Sequence, residues 1–97
     1  MSETEILEKI KSALMITNSA FDEVLKIHID TVKNYMINAG VKNTIVESEK
    51  SIGAIFRGVS DLWNNGSGKV DFSPYFRDQV VQLTFMDGDK DVSTTTN

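Results

Sequence analysis

His28 is the only histidine in a chain of 97 residues, and it is the first place to look for acid–base chemistry. Catalysis there needs a nucleophile or a carboxylate brought to the imidazole, and no local motif supplies one. At helical spacing His28 falls one turn after Val24 and one turn before Val32, on an apolar stripe from which Asp22 and Asp30 turn away. That placement predicts a partly buried structural histidine. A single imidazole cannot make a two-histidine metal site. The absence of cysteine removes disulfides, thiolate metal sites and a cysteine nucleophile together.

Two segments have the composition of a binding loop without its spacing. Gly66-Ser67-Gly68-Lys69 resembles a phosphate cradle, but a P-loop needs Gly-x-x-x-x-Gly-Lys-Ser/Thr between a strand and a helix, and here Val70 follows the lysine. Asp87-Gly88-Asp89-Lys90-Asp91 begins like a calcium loop, yet no glycine falls sixth and no glutamate falls twelfth. The residue pattern therefore nominates no catalytic, cofactor-binding or metal-ligating residue, and the chain reads as an interaction protein rather than an enzyme.

The candidates that remain are contact residues. Gly53 and Gly58 sit inside a helical pattern, where each costs about 1 kcal/mol relative to alanine and asks for a close neighbour, within the subunit or on another one. Trp63 and Tyr75, with Phe72 and Phe76, flank the glycine-rich loop as either an internal helix–helix seam or an anchor for a neighbouring chain. Arg57 and Arg77 are the only arginines, able to serve as surface charges or as subunit bridges. Asp87 and Asp89 complete the candidate subunit or partner interface.

Four helices are expected to position these residues. Ser2 and Glu5 have the spacing of a capping box, and Ile6, Leu7, Ile10, Ala13 and Leu14 recur at helical period, which predicts a helix over Glu3–Leu14. A second helix over residues 20–39, roughly 30 Å long, follows from Phe21, Val24, Leu25, His28, Val32, Tyr35, Met36 and Ala39, and Gly40 sits where a left-handed cap belongs. Thr44 and Glu47 suggest another capping box opening a third helix that runs to about Asn64. Ser73-Pro74 gives an N-cap with proline at the first helical position, hence a last helix over Pro74–Thr84. A competing reading makes residues 81–85 an alternating strand, for which no partner strand is evident.

The expected architecture is all-α: a small bundle of about four helices in one domain over residues 1–86, followed by a disordered acidic tail over 87–97 whose only apolar residue is Val92. A chain this long buries roughly 60–65% of its unfolded surface, enough for one modest core. No stretch approaches the roughly 20 apolar residues of a membrane span, and the acidic opening lacks the basic start of a secretory signal. The net charge is −4 and the ten basic residues are scattered, which argues against a free-standing nucleic-acid binder.

The order of motifs is itself informative. Leu14-Met15-Ile16-Thr17 ends the first helix, Phe21-Asp22 opens the long one, and Tyr35 and Ala39-Gly40 close it. Leu62-Trp63 ends the next helix before the glycine-rich turn, Ser73-Pro74 and Val81-Gln82-Leu83. Over about residues 5–85 this resembles the small head–tail connector, or DNA-packaging, proteins of tailed phages and prophages. The resemblance implies a virion protein, assembled in the host bacterial cytoplasm, that forms a ring of about twelve copies on the portal protein. The ring would extend the DNA channel toward a tail-side connector or stopper protein, with no cofactor and no sequence-specific DNA contact. An acidic subunit suits a channel wall past which DNA must slide. The alternative is a small helical DNA-binding or regulatory protein, although its third helix sets Glu47, Glu49 and Asp61 against Lys50 and Arg57, a poor surface for phosphates. A third possibility is an assembly chaperone that never enters the particle.

Overall fold

The computed structural model describes residues 1–65 and 72–86; the expected disordered tail and residues 66–69 of the glycine-rich loop lie outside the described residues. The chain is all-α. It forms α1 (Glu3–Leu14), α2 (Asp22–Asn38), α3 (Asn43–Val46), a 3₁₀ turn (Glu49–Ser51), α4 (Ile52–Asn65) and α5 (Pro74–Thr84), with no strand among the described residues. The helix α5 runs through Thr84 and caps at Phe85, so the segment that the competing reading made a strand is helix and helix cap.

Local chemistry sets most boundaries. At α1 the Glu5 amide donates to Ser2 Oγ at 3.1 Å and the Ser2 amide donates to Glu5 Oε1 at 2.9 Å, a complete capping box. Its far end closes on Met15 in the left-handed region, φ 61°, and the Ile16 amide reaches back to the Lys11 carbonyl at 2.9 Å. Gly40 takes φ 107° after α2, the Val41 amide donates to the Met36 carbonyl at 3.0 Å, and Val41 itself is buried. At α5 the Phe76 amide donates to Ser73 Oγ at 3.3 Å with Pro74 next to the cap.

The long helix is rotated relative to the expected stripe. Its buried positions are Leu25, Ile29, Val32 and Met36, with Tyr35 and His28 at the margin, whereas Phe21, Val24 and Ala39 are exposed. The two stripes overlap at Leu25, Val32 and Met36, and packing against α4 and α5 decides which flank goes inside.

The third expected helix is broken. Thr44 does not cap it: α3 is a single turn beginning at Asn43 after Lys42, and the Glu47 carboxylate meets Lys33 Nζ at 3.3 Å instead of turning back on Thr44. Serine hydroxyls hold the kink. Ser48 Oγ donates to the Ile45 carbonyl at 2.8 Å and accepts from the Lys50 amide at 3.2 Å. The buried Ser51 Oγ donates to the Val46 carbonyl at 2.7 Å and the Ser48 carbonyl at 3.0 Å. The Ile45 and Ser48 carbonyls also accept from the amides of Ser48 and Ser51, so the hydroxyls reinforce tight turns that replace a straight helix.

The helix α4 packs on α2, α1 and α5. The core joins Ile6, Ile10, Leu25, Ile55, Val59 and Phe76, all almost wholly buried. Tyr35, Phe72 and Phe76 make an aromatic triad with ring centroids 4.5–5.3 Å apart, fastening α5 to α2. Among the described residues no helix is long and apolar enough to cross a membrane.

Candidate assembly surface

The two helical glycines have different reasons to be glycine. A Cβ on Gly58 would stand 2.7 Å from Phe76 Cε1 and 2.8 Å from Val32 Cγ2, so the close approach it permits lies within the subunit. A Cβ on Gly53 would meet nothing within 4 Å. Gly53 therefore gives up helix stability without an intrachain contact to require it.

Gly53 opens onto a groove of about 170 Å³ between the start of α4 and the end of α5. Lys50, Gly53 and Ala54 form one wall, Gln79, Gln82 and Met86 the other, and the buried Leu83 lies beneath. Farther along the same pair of helices the Arg57 guanidinium lies 6.0 Å from the centre of the Tyr75 ring, a loose cation–π pair on a tyrosine that is 72% exposed. Gly53, Arg57 and Tyr75 thus belong to one face built by α4 and α5.

The other candidates fall elsewhere. Trp63 lies at the far end of α4, half-buried, its ring edge-on to Phe21 at 5.2 Å, so it closes a seam inside the chain. Arg77 is exposed on α5, and helical spacing turns it about 160° from Tyr75. Asp87 and Asp89 lie outside the described residues. His28 is half-buried, and burial pushes its imidazole below its ordinary value.

Two features were missed from sequence. The solvent side of α2 carries Ile27, 62% exposed, and Ile37, interspersed with Glu23, Asp30 and Asn34. The end of α5 presents Val81 and Phe85. The available signal was an excess of isoleucine on α2: Ile27, Ile29 and Ile37 cannot all lie on one buried stripe.

Among the described residues the surface offers an open groove, exposed aliphatic and aromatic side chains, and paired charges suited to contact with protein. A sequence model of the family described as phage connector protein matches residues 6–65, from α1 through α4. No curated protein and no solved structure matches the chain. The match spans well over half of the sequence and includes the kinked entry to α4, and on that basis the chain belongs to the phage connector protein family.

Proposed function

We propose that this chain is a structural subunit of the head–tail junction. It assembles as a ring on the portal protein, extends the DNA channel toward the tail, and contacts a tail-side connector or stopper protein. The observation that carries this reading is the family match over residues 6–65. Two further features support it. Exposed Tyr75, Phe85 and Ile27 are apolar side chains available to a neighbouring chain. The net charge of −4 favours passage of DNA over its capture. The protein acts through contacts rather than catalysis, and its site of action is the virion.

Light scattering on the protein alone and with its cognate portal tests the proposal. A ring-sized mass, or stoichiometric addition to the portal, is the expected result. A monomer or dimer that ignores the portal overturns it.

A further inference from the structure

We propose that neighbouring subunits dock head to tail, with the solvent stripe of α2 from one copy seated on the Lys50–Gly53–Arg57 face of the next. The inference rests on the ring reading above and names the two surfaces that meet.

The two faces are separate surfaces of the subunit. On α2 the buried residues Leu25, Ile29, Val32 and Met36 look toward the core, and Val32 lies against Gly58 of α4. Glu23, Ile27, Asp30, Asn34 and Ile37 occupy the opposite side at intervals of four, three, four and three residues. That repeat is the one by which a helix presents a narrow seam to a partner. On α4 the residues Ala54, Ile55, Val59 and Leu62 are buried, while Gly53 and Arg57 look outward, with Lys50 in the 3₁₀ turn just before them. A subunit with two different outward faces makes heterologous contacts, and such contacts close into a ring when the rotation between copies closes.

The faces also match in charge and shape. Glu23 and Asp30 are seven residues apart, about 10 Å along the helix, with Ile27 between them. Lys50 and Arg57 are likewise seven apart, with Gly53 between them. Laid antiparallel, the spacing places Glu23 opposite Arg57, Ile27 opposite Gly53 and Asp30 opposite Lys50. The order four-then-three on one helix meets three-then-four on the other, so all three pairs align in a single register. Ile27 is an exposed aliphatic knob, and Gly53 is a helical position with open space where a side chain would be. Nearby charges do not reverse the match. Lys33 is occupied by Glu47 at 3.3 Å, and Lys26 reaches Glu23 only at 3.8 Å, an exposed and weak pair. Glu49 and Asp78 lie on the flanks of the basic face.

The absence of native cysteine makes the register directly testable in the full chain. The double variant Ile27→Cys/Gly53→Cys, oxidised in the presence of the portal, should give a ladder of covalent oligomers on a denaturing gel without reductant. Each single variant should stay monomeric, and Ile37→Cys/Gly53→Cys, out of register, should give no ladder. Asp30→Lys and Lys50→Asp should each weaken subunit addition about tenfold or more by facing like charges, and the double variant should restore it. Wild-type rings accompanied by no ladder, by an equal ladder in the out-of-register pair, or by no restoration in the charge swap would overturn the docking while leaving the ring reading intact. Failure of the wild-type chain to assemble, with or without portal, overturns both.

Discussion

Gly58 and Val32 approach so closely that a single added methyl group on the glycine would stand 2.8 Å from the valine Cγ2. This contact sets how near α4 comes to α2, and through Phe76 it sets the seat of α5 as well. Five residues earlier, Gly53 has no such neighbour. The pair separates a glycine required by the fold from one that the fold tolerates.

Alanine substitution should therefore act with opposite sign at the two positions. Gly58→Ala forces a stiff β-branched side chain and a ring to move, and it should cost about 1–3 kcal/mol, less any gain in helix propensity. Gly53→Ala should stabilise the isolated subunit by about 0.5–1 kcal/mol. Thermal denaturation reads both, at about 4–8 °C per kcal/mol for a domain of this size. Equal shifts of the same sign would refute the distinction.

The corner between α1 and α2 is held by charge. Lys11 Nζ lies 2.9 Å from Asp22 Oδ1, with the two side chains only 10% and 27% exposed. Lys11→Ala leaves that carboxylate unpaired in a poorly solvated corner and should cost about 1–3 kcal/mol. Lys26→Ala breaks a pair at 3.8 Å whose glutamate is 87% exposed, and it should change stability by less than about 0.5 kcal/mol. Denaturant titration of both variants decides whether burial, and not the count of ion pairs, governs the corner.

Features written in short range were legible before the structure. Ser2 with Glu5, Gly40, and Ser73 with Pro74 each act on backbone groups within four residues, so residue type and spacing fix them. The rotation of α2 was not legible, because Val24, Ile27, Ile29 and Ile37 are equally apolar and only packing against the other helices selects the buried side. The break before α4 was hidden for a related reason: Ser48 and Ser51 end a helix only when their hydroxyls turn onto carbonyls, and the Thr44–Glu47 spacing imitates a cap. Of the candidate contact residues, Gly53, Arg57 and Tyr75 come together on one face. Gly53 and Gly58 are the same letter in one helical pattern, and only their neighbours tell them apart.

Stability should vary with pH through two groups. The Ser2 amide hydrogen bond, first among its causes, holds Glu5 below its ordinary value of 4.5, so this glutamate stabilises the fold above that pH and its contribution is lost as pH falls through the lowered value. Burial holds His28 below 6.5, so the unfolded chain takes up the proton first and stability declines as pH drops below 6.5. His28→Gln should flatten stability just below pH 6.5 and leave the more acid limb unchanged. Glu5→Gln keeps a cap acceptor without the charge, and it should match wild type only at the acid end. Urea midpoints measured from pH 3 to 8 test both, and an unchanged profile in either variant would count against the corresponding assignment.

The last prediction concerns how α5 is fastened. The Ser73 amide donates to Asp61 Oδ2 at 3.0 Å, which ties the start of α5 to the end of α4. Asp61→Ala removes a charged acceptor from a part-buried amide and should cost about 1–2 kcal/mol, whereas Asp61→Asn retains an oxygen at the same place and should lose less than half of that. Exchange of the Ser73 amide should quicken in the alanine variant and not in the asparagine variant. Because α5 supplies Tyr75, Gln79 and Gln82 to the open face and Asp61 fastens its start beside Tyr75, Asp61→Ala should also weaken the proposed assembly although it removes no residue from the groove. If assembly were untouched while the amide exchanged freely, α5 would not be part of the contact, and Lys50, Gly53 and Arg57 would carry it alone.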